Sequence, residues 1–151
     1  MHVTAKADYA LRALVGLSLR QGEMVTRDAL AAEQQIPAKF LESILAELTR
    51  SGLLIAKRGV RGGYLLGRTA SEISVADVIR AVDGPLAGVR GLRPEDVEYP
   101  ESSSSIRDVW VAVRASIRTV LEQTTLADIA SKQLPADVAE LLQVKGAWQR
   151  R

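Results

Sequence analysis

The apolar positions of this chain fall into helical spacing over most of its length and into two short unbroken runs in one place. From Thr4 to Arg20, Tyr9, Leu11, Ala13, Leu14, Leu17 and Leu19 supply apolar surface with few breakers, and Thr4 is a ready N-cap. Gly16 lowers helix propensity there but allows close packing. Arg20-Gln21-Gly22-Glu23 breaks the pattern, and Met24-Val25 reads as a short extended lead-in. Thr26 caps a second helix over 26–35, with Leu30, Ala31 and Ile36 turned to the core. Pro37 opens a third helix over 37–51 in its first turn, where a missing N–H costs nothing. Phe40, Leu41, Ile44, Leu45 and Leu48 form one apolar stripe on it, and Gly52 ends it. Two strands follow, Leu53–Ala56 and Tyr64–Leu66, around the basic, Gly-rich tip Lys57–Gly63.

Ser74 to Asp77 has the spacing of a capping box, opening a helix with Val75, Val78, Ile79 and Val82, and Asp83-Gly84-Pro85 closes it. Residues 86–104 then lack any strong period and run through Pro94, Pro100 and four serines, Ser102 to Ser105. A stretch that long inside a domain is either a disordered linker or a loop shaped by a partner or ligand. Ile106, Val109, Trp110, Val113, Ile117, Val120 and Leu121 return to helical spacing on a single face. Such a helix, set apart by a polar loop, has little core of its own to cover, so self-association through that face is expected, with packing on its own N-terminal helix as the alternative. Thr125 to Asp128 repeats the capping-box spacing, and after Pro135 a weak helix leads to a frayed end in which Trp148 has no evident partner.

Composition narrows the chemistry. Apolar residues make up 47% of the 151, enough for a core. No apolar run reaches the roughly 18 residues of a membrane span, and no signal-peptide pattern opens the chain, so no membrane partner and a cytoplasmic location are expected. Cysteine is absent and the one histidine, His2, sits at the terminus, which removes thiolate metal sites, cysteine nucleophiles and multi-histidine clusters. No nucleophile–base pair or spaced pair of carboxylates can be assembled, so the chain is not read as an enzyme. Charge is uneven. Residues 1–70 carry ten Lys/Arg against six Asp/Glu, and Lys57 to Arg68 holds four basic residues and no acidic one. That distribution suits a phosphate backbone.

The pattern of three helices and a two-stranded wing predicts a mainly α fold with a small β-wing: a winged helix-turn-helix followed by a long dimerisation helix. In such a unit the third helix enters the major groove by its N-terminal end. Lys39, Glu42 and Ser43 are its base- and phosphate-facing candidates, Ala38 is a candidate for a thymine methyl, Thr26 is a further DNA-binding candidate, and Gly59 lets the backbone approach closely. Arg58 and Arg61 of the wing are the strongest single candidates, suited to phosphates or a narrow minor groove. Double-stranded DNA and a second copy of the chain are the partners expected. A non-catalytic interaction or assembly factor on the same scaffold is the alternative. The loop, with Trp110 and Tyr9 nearby, leaves room for a small-molecule effector.

The ordered segments TAKADYALRAL (Thr4–Leu14), IPAKFLESILAELTRSGLL (Ile36–Leu54), KRGVRGGYLL (Lys57–Leu66), ISVADVIRAVDGPL (Ile73–Leu86) and TTLADIA (Thr124–Ala130) resemble the Rrf2 family of bacterial transcriptional regulators. The resemblance implies a homodimer, acting as a repressor or at some promoters an activator. It also implies a winged head at 1–84, a loop in the sensor position at 85–105, a dimerisation helix with a short following helix at 106–133, and a tail at 134–151. Lys39, Glu42 and Ser43 match the family's base-reading positions, and Arg58 matches a wing arginine that enters the minor groove. Many members hold an iron–sulfur cluster on three cysteines in that loop, with an acidic residue of the first helix as a further ligand in some. Asp8 falls at the acidic position, but no cysteine is present to join it, so no cofactor is expected and Asp8 reads as structural or as part of a polar network near the dimer interface.

Overall fold

The computed structural model describes residues 2–20 and 22–149. In chain order its elements are α1 (Ala5–Ser18), α2 (Arg27–Gln34), α3 (Ala38–Arg50), β1 (Leu54–Lys57), β2 (Gly63–Leu66), α4 (Val75–Asp83), α5 (Ser105–Gln123), α6 (Leu126–Ser131) and α7 (Ala136–Leu141). Short 3-10 turns lie at Ala70–Glu72, Pro94–Asp96 and Glu101–Ser103.

Helix α1 is the centre of the head. It packs on α2, α3, α4 and α6 together. It can do so because Ala7, Ala10 and Ala13 are wholly buried beside Leu14 and Leu17, and such small side chains let four neighbours come close. This departs from the expected stripe: Tyr9 and Leu11 are only half-buried, and Leu19 is 59% exposed. Gly16 serves the same packing, since an added Cβ would lie 2.8 Å from the Gln34 side-chain nitrogen and 3.2 Å from Leu30. Against α1, α3 places Leu41, Ile44, Leu45 and Leu48, all fully buried. Phe40, expected on that stripe, is instead 44% exposed and meets Tyr9 edge-on at 5.7 Å.

The caps fall where the sequence places them. Thr4, Thr26, Ser74 and Thr125 each accept a hydrogen bond from a first-turn N–H. Ser74 and Thr125 complete capping boxes with Asp77 and Asp128, and the Thr125 hydrogen bonds hold the Asp128 carboxyl below the usual aspartate range. The two boxes are tied together. The Val75 N–H donates to Thr124 O at 2.8 Å and the Leu126 N–H to Ile73 O at 3.0 Å, so α4 and α6 begin from one short antiparallel bridge.

β1 and β2 pair antiparallel with Leu54 opposite Leu66 and Lys57 opposite Gly63, one residue later than expected at the first strand. Val25 forms an isolated antiparallel bridge to β2, exchanging both backbone hydrogen bonds with Tyr64. Residues 86–104 are folded back on the body. Val89 and Leu92 close a hairpin over Arg90 and Gly91, both at positive φ, while Pro94 and Val97 are buried. Beyond α6, α7 buries Val138, and Trp148 stays 80% exposed with its indole N–H on Leu142 O.

Leu126 is fully buried in the core that α1 and α3 share, although α6 follows the long helix in sequence. Leu126→Ala is expected to cost about 2–5 kcal/mol in urea unfolding. A loss under about 1 kcal/mol would show that α6 is not part of the head.

Candidate nucleic-acid interface

One side of α3 faces the core and the opposite side is bare. Lys39, Glu42 and Ser43 stand at successive i, i+3, i+4 spacing on the bare side, and Ala46 and Arg50 extend the same strip. This is the surface a recognition helix would present to a groove. Its residues differ in how free they are. Lys39 is exposed, whereas Glu42 pairs with Arg27 at 3.0 Å, and Arg27 also holds Asp28 at 2.9 Å. The Ser43 hydroxyl donates to Phe40 O at 2.9 Å, leaving its lone pairs as acceptors. Ala38 is half-buried against the core.

The wing is held close to this surface. Thr26, Arg27, Thr49, Lys57, Arg58 and Gly59 border one cleft of about 520 Å³ between the start of α2, α3 and the wing. The Thr26 hydroxyl oxygen accepts from the Ala29 N–H at 3.2 Å, which leaves its proton free to donate outward. Arg58, Gly59 and Arg61 are exposed in the five-residue link 58–62, whose turn is closed by the Gly62 N–H donating to Gly59 O at 2.9 Å. Among the described residues neither wing arginine has a carboxylate within ion-pair distance, so both charges face solvent. Arg27, Thr49 and Ala46 were not singled out from the sequence. Their signal was spacing, for Ala46 and Arg50 continue the Lys39 strip, but the Arg27–Glu42 pair spans two helices and had none.

Of the other candidates, Tyr9 is engaged within the head. Its ring meets Phe40 edge-on, and Arg12 lies over it at 5.3 Å, donates to Gln34 O and pairs with Asp8 at 3.6 Å. Asp8 is thus a first-turn carboxylate in a surface network of its own helix. Trp110 does meet the loop: its indole N–H donates to the Tyr99 hydroxyl at 3.1 Å, and with Val113 and Ile117 it borders an apolar groove under Ala87, Gly88 and Val89.

Over its 19 residues α5 has no buried side chain. Ile106, Val109, Trp110 and Val113 are exposed, and Ile117, Val120 and Leu121 are half-covered. The flank beside that stripe is fixed to the body by Arg114, at 2.5 Å from Glu95, and by Glu122, which accepts from Arg118 at 3.0 Å and from Arg80 of α4.

Three packed helices, a two-stranded wing and an unpaired cationic tip define a winged helix-turn-helix protein of the DNA-binding class. Comparison with known proteins places it more closely. Residues 3–132 match the Rrf2 model, described as an iron-dependent transcriptional regulator, and the chain belongs to that family. It is 49% identical over 142 residues to Rv1287 of Mycobacterium tuberculosis, which bears the name of an HTH-type transcriptional regulator; the match covers 93% of this chain and 88% of that one. It is 31% identical over 132 residues to the HTH-type transcriptional regulator CymR of Bacillus subtilis, covering 87% and 91%. The solved structure of CymR, titled the global cysteine regulator of B. subtilis, superposes with a TM-score of 0.74 at 30% identity over 87% of this chain and 98% of that one. IscR of T. potens gives 0.70 at 29% identity, over 87% and 88%. The chain is therefore a DNA-binding transcriptional regulator, a family of regulators and not of enzymes. Among the described residues no helix is long and apolar enough to cross a membrane.

The family description makes iron the cofactor to test. The donor set does not suit a cysteine-held cluster, because the chain has no cysteine. Nor do three or more His, Cys, Asp or Glu side chains converge among the described residues. The loop that would carry such ligands brings Glu95 against Arg114 instead, and the Arg114 hydrogen bond holds the Glu95 carboxyl below the usual glutamate range.

Gly63 fixes how the wing meets the head: its φ is +151°, and an added Cβ would lie 2.6 Å from Val25 O. Gly63→Ala should therefore push the wing off Val25 and cost about 1–3 kcal/mol of stability. Hydrogen exchange should show the Val25 and Tyr64 amides losing protection. Unchanged protection at both would refute this account of the wing's anchorage.

Proposed function

We propose that the protein is a homodimeric repressor of the bacterial cytoplasm that reads a palindromic operator. The observation that carries this is the apolar stripe of α5, a long helix whose Val109, Trp110 and Val113 are left to solvent in a single copy. A second α5 laid on that stripe would cover it and would set two heads in two-fold relation. Two heads so related match two half-sites on one face of the duplex, about one helical turn apart.

Within each head, Lys39, Glu42, Ser43 and Ala38 would address the major groove. Thr26, Arg58, Gly59 and Arg61 would address the backbone and the adjacent minor groove. The Arg27–Glu42 pair gives the reading surface a defined shape before DNA arrives, and an acceptor such as Glu42 discriminates more sharply when its position is fixed. Repression requires only occupancy of promoter DNA, and membership of a regulator family supports the cytoplasmic location.

Fluorescence anisotropy on DNA from upstream of the protein's own gene, against a scrambled duplex at several salt concentrations, tests the reading. Tighter binding to the upstream DNA is expected. Arg58→Ala should weaken it and lessen the log–log salt slope by about 1.8 per dimer, since one phosphate contact worth about 0.9 is lost from each head. Equal binding to both duplexes, with Arg58→Ala unchanged in affinity and slope, would overturn it and favour an assembly factor using the same scaffold.

A further inference from the structure

Where α4, the hairpin at 89–92 and the flank of α5 meet, they enclose a cleft of about 790 Å³, open to solvent on one side. Four arginines line it: Arg80 from α4, Arg93 from the loop, and Arg114 and Arg118 from α5. Glu95 is the one acidic residue on its wall among the described residues. Leu86, Pro94 and Leu92 supply an apolar floor. The volume falls in the range of small-molecule sites, which runs to roughly 1,000 Å³.

The charges do not cancel. Glu95 is taken by Arg114 at 2.5 Å, and the single carboxylate of Glu122 is shared between Arg118 at 3.0 Å and Arg80. Arg93 has no carboxylate within ion-pair distance among the described residues. Four guanidinium groups thus face two carboxylates, and two positive charges remain uncompensated in a concave place. Arginine's planar fork suits bidentate binding of carboxylate or phosphate, and the three elements place four such side chains on the wall of one volume.

We propose that this cleft is an effector site for a small multivalent oxyanion, a metabolite carrying at least two carboxylate or phosphate groups. The site stands where it can be heard. The same arginines hold the joint between head and long helix: Arg80–Glu122 ties α4 to α5, and Arg114–Glu95 straps the loop onto α5. An anion entering the cleft competes with Glu95 for Arg114 and with Glu122 for Arg80 and Arg118. Loosening either pair frees α5 to turn against the head and, on the reading that α5 joins two copies, changes the spacing of the two DNA-binding surfaces. The apolar floor would accommodate a short carbon skeleton between the charged ends.

Isothermal titration of the full chain with citrate and with inorganic pyrophosphate, at constant ionic strength, tests this. One saturable site per chain is expected for at least one probe. Its affinity should fall by about tenfold or more in the variant carrying Arg93→Ala and Arg118→Ala, as loss of charge-assisted bonds implies, and should be unchanged in Arg58→Ala. The bound probe should also shift half-saturation by upstream DNA about fivefold or more in the natural chain and not in the double variant. Arg93 makes no ion pair among the described residues, so Arg93→Ala alone reads the site without breaking one. No saturable binding of either probe would overturn the proposal. So would binding that survives the double substitution but is lost in Arg58→Ala, which would place the anion on the wing. Saturable cleft binding that leaves DNA affinity unmoved would overturn the effector role. If the protein bound no DNA, calorimetry would still read the cleft, so the two failures are distinct.

Discussion

The close packing around the alanine face of α1 sets the position of everything else in the head. Ala7, Ala10 and Ala13 are fully buried, and α2, α3, α4 and α6 all reach the same helix because nothing larger stands between them. Interiors packed this tightly tolerate little extra volume, so a methyl group added at these positions would be felt by several elements at once. Polar contacts pin the arrangement at its end. Lys6 donates to Val82 O at 2.6 Å and pairs with Glu47 at 2.7 Å, and Thr4 donates to Asp83 at 2.6 Å. Helix α3 and the α4 end that meets α5 are therefore both referred to α1.

Much of the fold was legible because its signals are local. A Thr or Ser before an apolar period marks a helix start, and all four such caps form as read. The α3 stripe and the Gly-rich wing also declare themselves within a few residues. What failed to show was long-range. Leucines and tyrosine outweigh alanines in any reading of periodicity, so the true inner face of α1 was hidden behind Leu19 and Tyr9. Phe40 sits one step off the α3 stripe, and its half-exposed place depends on Tyr9 of another helix. The order of 86–104 rests on Glu95 meeting Arg114, Tyr99 meeting Trp110, and the burial of Pro94 and Val97, none of which leaves a periodic trace. The candidate site divides the same way. Exposed positions on one helix were readable, whereas the Arg27–Glu42 pair and the arginine-lined cleft exist only after α2, α4 and α5 have been brought to their partners.

On the effector site proposed above, family membership and residue chemistry point to different ligands. The Rrf2 family is described by its dependence on iron, yet this chain has no cysteine to hold a cluster and lines the corresponding region with guanidinium groups. The cleft lies between the head and the long helix, where Arg80–Glu122 and Arg114–Glu95 hold the joint. Hydrogen bonds from Arg80 and then Arg118 hold the Glu122 carboxyl below the usual glutamate range at that joint.

The central claim is that two heads, joined through the stripe of α5, read DNA as one symmetric unit. Selection of bound duplexes from a fully randomised pool, followed by sequencing, tests it most directly. The account predicts an enriched inverted repeat whose half-site centres lie about one helical turn apart, roughly 10–10.5 base pairs. Enrichment of a single unrepeated site, or of no motif at all, would contradict it.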